Sequence, residues 1–517
     1  MQKSNNHHHH HQQPYYWTAT TKQQHLDQTV YFSGGDVDGD GDVSQGSQQF
    51  SSDHTLPNNS FSSNGSPSSL HSFQPEPLYH SPDDYTSHLN MDPHLQNTIR
   101  ELETIIGIDQ DFSSSNWGDG GGCDTYNIIP ADEECSIMEE IIARGDLKEA
   151  LLACAKAVAQ NNTALAEKLI SMLRPFVSVS GDPSQRLAAY MLEGLVARLY
   201  ASGTSIYKSL KCKEPTGGEL FSYMMLLYEA CPYFKFGYLS ANGAIAEATK
   251  NEDSIHIIDF QISQGGQWVT LIQALAARPG GPPKLRITGI DDSRNAFARG
   301  GGLNIVGQRL AKLAESCKVP FEFYGVPVSV SDIEIQHLRV QPGEALAVNC
   351  ALVLHHLPDE TVHPQNHRDR LIRLIKSLSP KVVTLVEQES DVNTTNFFSR
   401  FQEAFSYYSA MFDSIDATLP RDHRERINVE QHCLAGEIVN VLACEGTERE
   451  ERHELLGMWR SRFAKAGFTP FPLSTYVNAT IKTLLENYCD KYRLEERDGA
   501  LFLGWMNRDL VSSCAWK

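Results

Sequence analysis

The first 135 residues show no sustained hydrophobic period. Ser, Asn, Gln, His, Gly, Pro and Asp dominate them, so they read as a disordered arm that builds no core. From about residue 136 the apolar spacing turns helical. Leu147, Leu151, Cys154 and Val158 form one stripe. Leu165, Leu169, Met172 and Leu173 form a second, ended by Pro175, and Leu187, Met191, Leu195 and Leu199 form a third. A fourth runs from Leu220 to Ala248 and breaks at Pro232. None keeps an a/d heptad for three repeats, which argues against a long coiled coil. The apolar faces must bury against each other or against a partner.

Residue 255 starts another rhythm: short β-branched runs separated by helical windows. The pattern predicts strands over Ile255–Phe260, Leu285–Ile290, Pro320–Tyr324, Ala345–Val348, Val382–Val386, Ile438–Ala443 and Ala500–Trp505. It predicts helices over Trp268–Ala277, Leu303–Cys317 and Arg368–Ser377. Repeated strand–helix–strand units imply a parallel sheet with helices on both faces, although the last two strands need not be parallel. The fold class is therefore α/β: a Rossmann/methyltransferase-like core sheet with an α-helical cap, preceded by the long arm. The boundaries expected are 1–135 for the arm, 136–250 for the cap and 251–517 for the core.

Charge sharpens this division. The 517 residues carry 44 Lys+Arg and 64 Asp+Glu, a formal charge of −20, which excludes a uniformly basic nucleic-acid coat. Residues 1–144 hold 21 acidic groups against four basic ones, a net of −17, and the other 373 residues net only −3. The acidity thus belongs to the arm, and a local basic face on the core stays open. Arg368, Arg370, Arg373, Lys376 and Lys381 fall close together in sequence, and they suit either a solvated face or phosphate contact. No run of about 18 apolar residues and no N-terminal h-region argue for a membrane span or a secretory signal. The 11 cysteines are scattered without a Cys-x-x-Cys pair, which fits reduced structural thiols and speaks against a zinc site.

Three features of the arm imitate chemistry. His7 to His11 is low complexity with weak metal affinity at most. Asp36 to Asp42 resembles the start of an EF-hand loop, but Ser47 stands where a bidentate Glu is required. In residues 94–107, Leu95, Ile99, Leu102 and Ile106 lie on one helical face. That is either a transient helix with no role or a segment that folds onto a partner. Acidic residues interleaved with Tyr15, Tyr16, Trp17, Tyr31, Phe32 and Tyr85 suit an activation segment.

The first strand ends in Asp259 and runs into QISQGGQW. An open α/β sheet places its ligand here, at the carboxyl ends of its strands. Methyltransferase-like folds often read D-x-G-x-G-x-G at this point, because the backbone must approach the cofactor closely. Gln261 and Ser263 stand where two of those glycines belong, so the loop obstructs S-adenosylmethionine. Asp291 closes the second strand where an acidic residue could hold a ribose. His355 and His356 follow an apolar strand with no nucleophile motif, and they read as structural or turn-capping histidines. No G-x-S-x-G, H-E-x-x-H or Walker loop is present. No catalytic, cofactor-binding or metal-ligating residue is assigned.

From about 145 to 517 the ordered motifs resemble the GRAS family of plant regulatory proteins. The first leucine-rich region is similar to DLKEALLACAKAVAQNN onward, with Leu147 and Leu151. The VHIID motif is Ile255, His256, Ile257, Ile258 and Asp259, followed by Gln267 and Trp268. The second leucine-rich region spans about Leu303 to Leu357. The PFYRE region, from VVTLVEQESD to LACEG, contains Arg426 and Glu430. The SAW region contains Trp459, Trp505 and Trp516. DFQISQGGQW and ARPGGPPKLRITGIDD resemble the branch named for phytochrome A signal transduction, which includes scarecrow-like proteins. One departure is Gly436, before Glu437, where the family commonly has Arg.

The resemblance implies a nuclear or nucleocytoplasmic transcriptional regulator, not an enzyme, with no cofactor. It implies contacts with transcription factors and co-regulators, and dimers with itself or related proteins through the leucine-rich regions. DNA contact would be direct or through partners, and membranes are not expected. Direct contact would use Arg368, Arg370, Arg373 and Lys376. The alternative reading is an S-adenosylmethionine-dependent methyltransferase.

Overall fold

The computed structural model describes residues 131–201, 217–293, 301–421 and 423–517. His7–His11, Asp36–Asp42 and the 94–107 segment lie outside the described residues. Helices come first: α1 (Ala131–Ala143), α2 (Leu147–Ala159), α3 (Thr163–Leu173), α4 (Pro183–Leu199), α5 (Gly217–Ala230) and α6 (Tyr233–Ala248). Their starts are written in the sequence. Asp146 and Asn162 accept the backbone N–H groups of Glu149 and Leu165 at 3.0 and 3.2 Å. Asp182 and Gln185 form a reciprocal capping box ahead of Pro183. The break at Pro232 is the N-cap of α6.

Strands β1 (Ser254–Asp259), β2 (Lys284–Ile290), β3 (Phe321–Val326), β4 (Ala345–Ala351) and β5 (Val382–Gln388) lie parallel in the order β3-β2-β1-β4-β5. The crossovers carry α7 (Gly266–Ala276), α8 (Leu303–Ser316) and α9 (His367–Ser377). This is the Rossmann-type order, with its switch point between β1 and β4. Beyond β5 the sheet turns antiparallel through β9 (Arg508–Trp516), β8 (Ala500–Trp505) and β7 (Tyr492–Arg497), while the short β6 (Pro470–Phe471) pairs the end of β9. Apart from a single turn at Ile335–Leu338, the other α-helices described are α10 (Phe397–Asp416), α11 (Arg424–Val429), α12 (Ala435–Ala443), α13 (Leu456–Lys465) and α14 (Thr475–Leu485).

One expected strand is a helix. Ile438–Ala443 lies within α12, where Ile438, Val439, Val441 and Leu442 are all buried. A short apolar run with β-branched residues reads alike for a buried strand and a buried helix, and packing decides. Here the deciding contact is α4: a Cβ on Gly194 would sit 2.7 Å from Leu442 Cδ1, so glycine lets the two helices close.

Both faces of β1 are buried, as parallel strands require. Ile255 and Ile257 join a core with Trp268, Leu271, Val306 and Leu310 of α7 and α8. Ile258 joins the opposite core with Leu371 and Ile375 of α9 and Trp459 and Phe463 of α13. A third core gathers the stripes of α2, α3 and α4, residues of α10 and α12, and Leu501, Leu503 and Val511 of the antiparallel strands. The helical layer and the antiparallel end of the sheet thus share one hydrophobic interior.

Candidate functional site

The switch-point crevice is filled by the protein's own side chains. After β1 the chain runs across the strand ends: Phe260 N–H donates to the Asn349 carbonyl at 3.1 Å and Ile262 N–H to the Ile290 carbonyl at 3.0 Å. Ile262 lies on Gly289, where a Cβ would come within 2.9 Å of it. Ser263 and Gly265 turn the loop with φ of 48° and 76°, and α7 begins at once. The first turn of α7 then points two large residues back into the crevice. Trp268 Nε1–H donates to Asp259 Oδ2 at 2.8 Å. The Gln267 amide exchanges hydrogen bonds with Asn349 at 3.0 and 3.2 Å and donates to Asn242 of α6 at 3.2 Å. Asn349 also donates to Asp259 Oδ1 at 3.1 Å, and Thr384 on β5 donates to Asn349 at 2.8 Å.

The hydrogen-bonded side chains Asn242, Asp259, Gln267, Trp268, Asn349 and Thr384 are all buried. Burial pushes the Asp259 carboxyl up to about 6, against the three hydrogen bonds that hold the charged form. Asp291 is buried too, and its N–H donates to the Val326 carbonyl. Sequence reading finds Asp259, Gln267 and Trp268 but misses Asn349, Thr384 and Asn242. The available signal was a lone polar residue in an otherwise apolar strand, as in ALAVNCA and VVTLV.

His256 points into the sheet. Arg286 donates to its Nδ1 at 3.1 Å, and its Nε2 pairs with the Thr288 hydroxyl at 2.8 Å, which leaves Nε2 as the protonated nitrogen. Burial, then the Arg286 charge, lowers the imidazole to about 4. Arg286 is in turn bound by Glu344. This motif histidine is a structural pin between β1 and β2.

Arg426 and Glu430 fall in a buried ionic cluster. Glu430 accepts from Arg186 of α4 at 3.0 Å and from Arg426 at 2.6 Å, and Arg186 also reaches Asp416 at 2.8 Å. The three central side chains have no exposed area. Leu151 is core and Leu147 packs at its edge. Trp505 donates to Asp413 at 2.7 Å, Trp459 to the Glu454 carbonyl at 2.9 Å, and Trp516 stacks on Phe463 with centroids 5.0 Å apart. These motif residues are packed into the fold. The 355–356 pair sits in a tight turn after β4. There His355 is buried, with its ring held well below the ordinary imidazole value by burial, and His356 is half-buried. Gly436 stands in the first turn of α12, and burial followed by the Glu451 charge pushes the neighbouring Glu437 up to about 8.

The basic row does not form one surface. Arg368 is fully buried, with Nη1 2.9 Å from Glu454 and the guanidinium over Trp459. It is therefore withdrawn from phosphate contact, because one helical face of this row is the apolar face of α9. Arg370 donates to the carbonyls of Ile333 and Ser331. Lys376 lies over Phe468 at 4.5 Å, and Arg373 alone of the four is exposed. Among the described residues no helix is long and apolar enough to cross a membrane.

A GRAS domain family model matches residues 147–517. The scarecrow-like transcription factor PAT1 of Arabidopsis thaliana is 69% identical over 379 residues, covering 73% of this chain and 77% of that protein. Chitin-inducible gibberellin-responsive protein 2 of Oryza sativa is 60% identical over 82% of this chain and 78% of its own length. The crystal structure of the Oryza sativa protein SCL7 matches with a TM-score of 0.65 at 37% identity, covering 72% of this chain and 99% of that one.

Proposed function

The chain belongs to the GRAS domain family, and on that premise we propose that it is a plant transcriptional regulator acting through transcription factors and co-regulators, without catalysis. The observation that carries this reading is the crevice closed by Asp259, Gln267, Trp268 and Asn349. A cofactor there would have to break a bonded, buried network and leave its members unpaired, at about 1–3 kcal/mol for each orphaned group. A methyltransferase keeps that space open, so the enzyme alternative is disfavoured.

Partner contacts fall to what the core leaves outside. The first leucine-rich stripe is spent in the interior, while Ile137, Phe176 and Tyr200 remain exposed beside it. Homo- or heterodimers with related chains would use that rim. Light or hormone signalling is the input we assign, in keeping with the gibberellin-responsive rice relative, and the nucleus, with the cytoplasm, is the working location. Direct DNA contact would rest on Arg373 and Lys376, since Arg368 and Arg370 are engaged inside.

Affinity capture of the full chain from plant nuclear extract should recover sequence-specific transcription factors, and a folded chain that recovers none overturns the reading. Calorimetry with S-adenosylmethionine should give no binding heat, and micromolar affinity would restore the enzyme. If DNA is touched directly, Arg373→Ala should weaken it and flatten its salt dependence.

A further inference from the structure

A cluster of imidazoles and carboxylates lies outside the crevice. His355, in the turn after β4, points toward β5 and the segment that precedes α13. Its Nδ1 is 2.6 Å from Glu387 Oε2, a hydrogen bond in which the ring donates to the carboxylate. That leaves Nε2 with its lone pair, 3.5 Å from Glu451 Oε2. His453 Nε2 stands at the same 3.5 Å from the same oxygen, and His356 Nδ1 is 3.6 Å from Glu451 Oε1. Two overlapping sets, His355 with Glu387 and His453, and His355 with His356 and Glu451, each bring one donor atom per residue within 4.8 Å of the others.

These separations are long for hydrogen bonds. They do match the ~3.4 Å edge of a tetrahedron whose corners lie about 2.1 Å from a central ion. A second observation is independent of spacing. His453 is 1% exposed, yet neither of its ring nitrogens has a hydrogen-bond partner. A buried imidazole without partners needs an explanation, and an electron-pair acceptor supplies one for Nε2, the nitrogen that faces Glu451. The nearby Arg368 cation is already taken up by Glu454 at 2.9 Å, so it does not satisfy Glu451.

We propose that His355, His356 and Glu451 ligate a divalent transition metal of the Zn²⁺ class, with His453, 3.5 Å from Glu451, as the fourth donor and Glu387 orienting His355 through Nδ1–H. Imidazole and carboxylate donors suit such an ion, and a carboxylate on the far nitrogen is its usual outer support. The site is structural. It staples the ends of β4 and β5 to the 446–455 segment, and the half-exposed His356 marks the way in. It was invisible at sequence spacing, because its donors come from two segments far apart in the chain and none is a cysteine. The inference stands apart from the transcriptional reading.

The His7–His11 run can itself bind metal, so the test uses the full chain, untagged, with those five residues replaced by Gln. After Zn²⁺ loading and exchange into metal-free buffer, mass spectrometry of the metal should find about one Zn²⁺ per chain. Co²⁺ in its place should give the visible absorption of a low-coordinate nitrogen–oxygen site. His453→Gln, which keeps bulk and one polar group, should lower Zn²⁺ affinity about tenfold or more. His356→Gln, at the rim, should lower it less and serves if the buried variant does not fold. A folded chain that holds neither ion, or one whose metal vanishes with His7–His11 alone, overturns the site. So does unchanged affinity in a folded His453→Gln protein.

Discussion

Asp259 is a buried carboxyl held by an indole, an amide and a backbone N–H. Its folded value of about 6 lies above the ordinary 3.8. The folded state therefore keeps a proton that the unfolded chain gives up, and stability declines as pH rises from about 4 to about 6. Asp259→Asn should abolish that decline. Between pH 4 and pH 7 the wild type should lose on the order of 3 kcal/mol relative to the variant, read by urea unfolding at each pH. Asn349→Ala should cost about 1–3 kcal/mol at neutral pH for each buried partner it orphans, measured in the same way. Asp259 and Trp268 were legible because strand end and helix start are close in sequence. Asn349, Thr384 and Asn242 were not, since a lone polar residue in an apolar strand acquires meaning only when folding supplies its neighbours. Arg368 failed for the converse reason: a charge in a basic row looks exposed until a helix turns it inward onto Trp459.

At the scale of elements, caps and periods were readable and pairings were not. The capping box at Asp182 and Gln185 is a local pattern, and Asp182→Ala should lower stability by about 1 kcal/mol. The cluster that α4 makes with Glu430 is a long-range pairing and should cost far more to break. Glu430→Ala leaves Arg186 and Arg426 buried without their shared carboxylate, and a loss of about 3–5 kcal/mol in chemical unfolding is expected. A loss no larger than that of Asp182→Ala would mean that water or Asp416 replaces Glu430. The run at 438–443 shows where local reading ends. Ile438, Val439 and Val441 favour strand by type, and burial against α4 makes them a helix.

For the whole molecule, the α/β class and the five parallel strands follow from alternating strand and helix signals. Of the antiparallel end only β8 does, at Ala500–Trp505, because β9 reads R-D-L-V-S-S-C-A-W and its Ser512 and Ser513 hide the apolar alternation. Yet β9 lies inside the sheet, paired with β5 on one side and with β8 and β6 on the other. Removing residues 508–517 should therefore abolish cooperative folding rather than fray an end, visible as loss of the thermal transition and rapid proteolysis. The same placement sets an order of events. A ribosome makes the chain from its N-terminus, so the parallel strands and the helical layer exist before the strand that joins them to β7 and β8 has been synthesised. Until β9 has emerged, the sheet has a gap with open edges on both sides, and such edges pair readily with other chains. The sheet can close only once residues 508–517 have emerged, and any stop before them leaves an adhesive core.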